Sequence, residues 1–147
     1  LGVLFQRHNS LCHHTLERVS QAWSGVLVHK RPFPPLTART ISSLNQLKPE
    51  LSLVRERGYA HDNQETSEGL ECVAAPIFDR TGQVVAGISV SFLSVRASPE
   101  HFQRILGLVQ RAAQEISEQM GGHVPAAKNK PGSPPDPSTN GVSDRSR

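Results

Sequence analysis

The chain has 147 residues, of which 36% are hydrophobic and 20% are charged, and its formal net charge is +3. This length and composition suit one soluble domain with a small core. The basic residues form no stripe, since several lie near the C-terminus and the others are mixed with acidic residues, which argues against an extended nucleic-acid interface within this chain.

Cysteine spacing and hydropathy argue against four further classes of protein. Cys12 and Cys72 lie far apart and match neither a zinc-binding motif nor a disulfide framework. The apolar start lacks the basic region of a secretory signal, and no later run approaches the length of a membrane span. We therefore expect a cytoplasmic protein that contacts no membrane and takes no cofactor or metal.

Residues 1–33 carry only a weak structural signal. Leu16, Val19 and Trp23 recur with helical spacing, which predicts a helix in this otherwise unassigned segment. The prolines within residues 30–35 fix the backbone and remove hydrogen-bond donors, so they predict an extended connector.

A clearer helix is predicted after this connector. Ser42 or Ser43 can cap its N-terminus, and Gly58 suits the left-handed position after its last turn. Its apolar residues recur on one face, namely Leu44, Leu47, Leu51 and Val54. Pro49 falls inside this span and marks either a break or the true first turn.

The most regular pattern in the chain predicts a β-hairpin. Residues 70–78 and 83–92 alternate as strands do, and Asp79 and Gly82 suit the tight turn between them. Residues 59–62 predict a short strand of the same sheet, followed by an acidic loop over residues 63–69. Alternation predicts two faces for the second strand: Val85, Gly87, Ser89 and Ser91 on one, and Val84, Ala86, Ile88 and Val90 on the other.

The last predicted helix begins at a Ser98 cap with Pro99 in the first helical position. Its apolar stripe comprises Phe102, Ile105, Leu106, Val109, Ala112, Ala113, Ile116 and Met120. Gly121 and Gly122 end it. Residues 123–147 offer almost no large apolar side chain and predict a disordered tail.

The small residues of the hairpin allow two interpretations. If Cys72 and Ala74 lie beside Ser89 and Ser91, the sheet carries a patch of donors that suits a small polar ligand, and Gly87 would let that ligand approach the backbone. Alternatively, these residues are small because a helix packs over that face. The pattern alone favours packing.

Catalytic and metal-binding interpretations have less support. Cys72 could be a nucleophile with His61 as its base, but nothing in the sequence orients this pair. The acidic residues Asp62, Glu65, Glu68 and Glu71 lack the spacing of a calcium loop, and the histidines His8, His13 and His14 lack a matched cysteine pair. We expect neither a catalytic nor a metal site.

Four motifs follow one another in a specific order and spacing. They are LTARTI at residues 36–41, VRERGYAHD at residues 54–62, EGLECVAAPIFD at residues 68–79 and GQVVAGISVS at residues 82–91. Together with the last helix, they make residues 34–121 resemble the effector-binding domain of the IclR family of bacterial transcriptional regulators.

This resemblance implies an α+β fold with a GAF-like antiparallel sheet and flanking helices, and a pocket for small organic acids such as glyoxylate, pyruvate, sugar acids or aromatic acids. The pocket positions of the family fall on Asp62, Cys72, Ser89 and Ser91, with Leu70 as an apolar wall. An ionised Asp62 would repel an anion and accept from a hydroxyl, whereas the serines and the thiol can donate. A hydroxylated or hydrated acid therefore fits best.

The resemblance also implies a homodimer or tetramer, and a winged helix-turn-helix domain ahead of the sensing domain. Residues 1–33 match neither that domain nor the first part of the sensing domain. We therefore expect an incomplete effector-binding domain over residues 34–122, which contacts DNA only through a helix-turn-helix domain absent from this chain. The alternative is a structural dimerisation fragment that uses the helix after Ser98 and binds no ligand.

Overall fold

The computed structural model describes residues 12–24 and 35–124. Its elements, in chain order, are α1 (Cys12–Ser24), α2 (Leu44–Arg57), β1 (Ala60–Asn63), β2 (Leu70–Phe78), β3 (Val84–Leu93), a 3-10 turn (Ser94–Arg96) and α3 (Pro99–Gln119). The three strands form one antiparallel sheet in the order β1-β2-β3. Helices α1 and α2 pack on one face and α3 packs on the other, which confirms the predicted α+β architecture.

The predicted caps of α2 are confirmed. The Ser43 hydroxyl accepts from the Gln46 N–H at 3.3 Å, and Gly58, with φ of 79°, donates its N–H to the Val54 carbonyl. Pro49 lies inside α2, so the expectation of a break or a first turn there is wrong. The proline removes one helical hydrogen bond, but the cap before it and the buried apolar face of α2 on both sides of it keep the helix continuous.

The hairpin is confirmed, with one irregularity. The Asp79 carboxylate holds the turn by accepting from the N–H groups of Thr81 and Gln83 and from the Thr81 hydroxyl. A β-bulge lies next to the turn: Phe78 pairs with Val84, whereas the preceding residue, Ile77, pairs with Ala86, so that β3 has one extra residue there. The extra residue reverses the alternation at this end.

The bulge corrects the predicted faces of two residues. Val84 packs on the α1 and α2 side of the sheet, and Val85 packs on the α3 side together with Ala86. From residue 86 onward the predicted alternation agrees with the strand register.

Helix α3 begins as predicted at Ser98, whose hydroxyl accepts from the His101 N–H at 3.2 Å. Most of its predicted stripe packs on the sheet, but Met120 is 48% exposed because the helix has ended before it. Ser117 takes the last buried position instead. Its hydroxyl donates to the Ala113 carbonyl and accepts from the Phe78 N–H at 3.0 Å, which joins the end of α3 to the end of β2.

Some of the predictions lie outside the described residues. These are the part of the N-terminal segment before residue 12, most of the connector over residues 30–35, and the predicted tail from residue 125 onward. Within residues 12–24 and 35–124, none of the helices combines the length and the apolar character needed to cross a bilayer.

Candidate functional site

The strand register brings the predicted site residues together on one face. Asp62 pairs with Cys72 across β1 and β2, and Cys72 pairs with Ser91 across β2 and β3. Ser89 lies two pairs further along, opposite Ala74. Since residues two apart share a face, all of them lie on the α1 side, and so does Leu70 at the end of β2. We call the five predicted residues, Asp62, Leu70, Cys72, Ser89 and Ser91, the sheet site.

The sheet site becomes more accessible from β1 towards β3. The side chains of Asp62 and Cys72 are buried, Ser89 and Leu70 are half-buried, and Ser91 is exposed. The thiol of Cys72 lies 3.9 Å from the carbonyl oxygen of Val73. The site thus has a buried carboxylate and thiol on β1 and β2 and more accessible hydroxyl groups on β3.

Helix α1 covers part of the same face. Val19 and Ala22 of α1 pack in one core cluster with Ala60 and Ala74 of the sheet. A Cβ added at Gly87 would lie 2.7 Å from Leu16 Cδ2. The expectation that Gly87 admits a ligand is therefore wrong, because a helix side chain occupies that space. The packing interpretation holds for this end of the face.

The carboxylate of Asp62 holds the loop that follows β1. Its Oδ1 accepts from the Glu65 N–H at 2.7 Å, and its Oδ2 accepts from the Thr66 hydroxyl at 2.5 Å. The Thr40 hydroxyl donates to the Glu65 carbonyl oxygen at 2.6 Å from the other side. Each carboxylate oxygen has a second lone pair, so these bonds leave acceptor capacity at the site.

Sequence reasoning missed Arg18, which lies beside this loop. Its buried guanidinium donates to the His61 carbonyl oxygen at 3.3 Å and to both carboxylate oxygens of Glu65, with 3.0 Å to Oε1. Burial alone would lower the pKa of Arg18, but the hydrogen bond and negative charge of Glu65, with smaller effects of Glu50 and Asp62, raise it above its usual value. The guanidinium is therefore a permanent cation beside the sheet site.

A sequence signal for Arg18 existed. It shares one face of α1 with Thr15, Val19 and Ala22, and a cation in such a stripe indicates a buried ion pair or a ligand contact.

The suggested thiol–imidazole pair does not form. His61 pairs with Val73 in the register, so its side chain points to the α3 face, away from Cys72. Its Nε2 lies 2.8 Å from the Glu71 carboxylate, and its ring packs on Phe102 with centroids 4.8 Å apart.

The acidic residues near the hairpin have separate partners. Asp62 holds the loop, Glu65 pairs with Arg18, and Glu71 pairs with His61. Within the part of the chain that the structure describes, no group of three or more potential ligands is arranged to hold a metal ion. The side chains of His8, His13 and His14 lie outside the described residues.

Comparisons with known proteins agree with this architecture. The family model described as the C-terminal part of the bacterial transcriptional regulator IclR matches residues 11–118. The HTH-type transcriptional regulator KdgR of Dickeya chrysanthemi is 39% identical over 122 residues, which cover 80% of this chain and 40% of the relative. The chain thus spans well under half the length of this curated relative.

Solved structures share the fold. The C-terminal domain of the Escherichia coli transcriptional regulator KdgR matches with a TM-score of 0.64 and 41% identity, covering 73% of this chain and 68% of that one. An inducer-binding domain of PobR from Acinetobacter, in complex with 3-hydroxybenzoic acid, matches with a TM-score of 0.62 and 20% identity, covering 70% of this chain and 62% of that one. The chain belongs to the IclR family of bacterial transcriptional regulators, and residues 11–118 correspond to the C-terminal domain of that family.

Proposed function

We propose that this chain is the effector-sensing part of a transcriptional regulator and that the sheet site binds a small organic acid. The observation that carries the proposal is the row of Asp62, Cys72 and Ser91 across three strands, with Ser89 beside it. A carboxylate, a thiol and two hydroxyl groups on rigid strands form a set of donors and acceptors fixed in place.

The chemistry of the row favours an acid that also carries a hydroxyl or hydrated carbonyl group. The hydroxyl groups of Ser89 and Ser91 donate to the anionic end of the effector, and Asp62 accepts from its hydroxyl. Leu70 supplies an apolar wall. The effector shifts the regulator between arrangements to the extent that it binds one of them more tightly.

We further propose that the regulator acts as a homodimer or tetramer, and that it contacts DNA through a helix-turn-helix domain outside this chain. Exposed apolar side chains around the end of β3, Leu93 and Val95, support a surface that another copy covers. Sedimentation at several protein concentrations tests this part, and a strictly monomeric chain would contradict it.

The binding proposal is tested by thermal denaturation with glyoxylate, pyruvate, D-gluconate and 3-hydroxybenzoate. At least one acid should raise the melting temperature, because a ligand that binds only the folded state stabilises it. Ser89→Ala and Cys72→Ala should weaken the effect, whereas Ser52→Ala, at an exposed position of α2, should not. A folded chain that no acid stabilises argues against sensing, and a stable dimer that is indifferent to all four indicates a dimerisation fragment.

A further inference from the structure

An anionic effector in the sheet site needs a positive charge that the site itself lacks. The five residues of the sheet site contain the carboxylate of Asp62 and no cation. A carboxylate bound there would lose water and face a negative charge, which is costly unless a cation compensates.

Arg18 is the cation placed to do so. Among the described residues it is the only lysine or arginine with a buried side chain. Its guanidinium donates to the backbone carbonyl oxygen of His61, next to Asp62, and the charge of Asp62 acts on it through space. It reaches this position from α1, the helix that covers the same face of the sheet.

The guanidinium already binds a carboxylate, that of Glu65. Both oxygens of this carboxylate accept hydrogen bonds from the guanidinium. This is the bidentate geometry in which arginine binds organic acids. Glu65 is also the centre of the loop after β1, since its N–H donates to Asp62 and its carbonyl oxygen accepts from Thr40. Glu65 therefore links α1, the loop and the sheet site through one residue.

We propose that Arg18 binds the carboxylate of the effector in exchange for the carboxylate of Glu65. This inference rests on the proposed function and adds to it a specific receptor and an internal competitor for the acid group. The exchange keeps the guanidinium paired, so the buried charge is never left alone. It releases Glu65 from α1 and thereby couples effector binding to the position of the loop.

The test is calorimetric titration of the full chain with glyoxylate, pyruvate, D-gluconate and 3-hydroxybenzoate. Arg18→Gln should weaken binding of the acid by about ten- to a hundredfold, the range expected for hydrogen bonds to a charged group. Glu65→Gln should instead strengthen it severalfold, because the amide carries no charge and competes poorly. A merely structural role for the pair predicts no gain on Glu65→Gln.

Two further variants keep the test decisive. Arg18→Gln leaves Glu65 unpaired and can fail to fold, so the double variant Arg18→Met with Glu65→Met replaces the pair by apolar side chains of similar size. It should fold and still bind the acid weakly. Glu50→Gln is the matched control, because Glu50 acts on Arg18 only through space and pairs with Arg57 at 2.7 Å. It should change acid affinity far less than Glu65→Gln.

The outcomes separate the two proposals. If the double variant binds the acid as tightly as the natural chain while Ser89→Ala loses binding, the sheet site stands and the role of Arg18 is overturned. If Glu65→Gln and Glu50→Gln have equal effects, the exchange is overturned. If none of the four acids binds the natural chain, the proposed function falls and this inference falls with it.

Discussion

The buried hydroxyl of Thr15 on α1 lowers the stability of the folded chain. The side chain is fully buried, and within the described part of the chain its Oγ1 has no hydrogen-bond partner. A buried polar group without a partner destabilises the folded state, because its hydrogen bond to water is lost and not replaced.

Thr15→Val should therefore stabilise the chain by about 1 kcal/mol, since valine has the same shape without the hydroxyl. The free energy of unfolding in urea measures this. Thr66→Val is the matched control and should destabilise the chain by about the same amount, because the Thr66 hydroxyl donates to the buried Asp62 carboxylate. If both variants destabilise the chain equally, Thr15 has a partner after all.

The Asp79 side chain gives a second prediction at the scale of one residue. The Thr81 hydroxyl, followed by the N–H groups of Gln83 and Thr81, lowers the pKa of Asp79 by bonding to its charged form. Because the folded-state pKa is lowered, the stabilising contribution is present above the unfolded-state value and is lost as the pH falls through the folded-state pKa.

Thr81→Val should raise the pKa of Asp79 towards its usual range, as followed by NMR titration of the carboxyl carbon. The pKa of Glu100, which is lowered by its own N–H and by Ser98 at the start of α3, serves as the internal control and should stay where it is. An unchanged pKa of Asp79 would show that the Thr81 hydroxyl does not hold the turn.

At the scale of elements, the hairpin and its neighbours show what local patterns can predict. The caps at Ser43 and Ser98 and the turn at Asp79 are local signals, so the boundaries of α2, α3 and the hairpin follow from the sequence. The bulge beside Phe78 does not, since it depends on how the end of β2 packs against α3. The faces predicted for Val84 and Val85 are wrong for this reason.

The junction between α3 and β2 depends on close backbone contact. A Cβ added at Gly122 would lie 2.1 Å from the Phe78 carbonyl oxygen and 2.8 Å from that of Asp79. Backbone atoms at such distances cannot move aside as the end of a flexible side chain can. The glycine therefore allows the chain after α3 to return over the end of β2.

Gly122→Ala should destabilise the chain by about 1–3 kcal/mol, as overpacking of a tight contact does. Gly107→Ala is the matched control, because nothing lies within 4 Å of its added Cβ in the middle of α3. It should stabilise the chain by about 0.5–1 kcal/mol through helix propensity. The midpoints of urea unfolding measure both, and equal shifts would mean that the contact at Gly122 relaxes freely.

At the scale of the whole molecule, the candidate site combines predictable and unpredictable parts. The tight turn at Asp79 brings Cys72 into the neighbourhood of Ser89 and Ser91, but the bulge beside Phe78 shifts the pairing by one residue and so decides which of them faces Cys72. The pair of Arg18 and Glu65 joins residues 47 positions apart. No local pattern specifies such a contact, which exists only because α1 packs across the sheet and the loop after β1 returns to meet it.

If the proposed exchange at Arg18 takes place, effector binding should be visible in the loop as well as in the sheet. If the acid group takes the place of Glu65 on Arg18, the loop keeps its bonds to Asp62 and Thr40 but loses its link to α1. Amides of the loop should then exchange hydrogen faster when the acid is bound, including the Glu65 N–H and the Gly69 N–H, which donates to the Gln64 side chain.

Amides in the middle of β2, such as those of Val73 and Ala75, should exchange more slowly under the same conditions, because the bound acid stabilises the folded sheet. Hydrogen exchange of the full chain, with and without the acid that raises its melting temperature, measures both groups of amides at once. The turn amides of Thr81 and Gly82 are exposed and lie at the far end of the hairpin from the loop, so they exchange through local opening and should not change. Slower exchange in the loop and the sheet alike would mean that the acid binds without displacing Glu65, and the coupling between α1 and the loop would then need another origin.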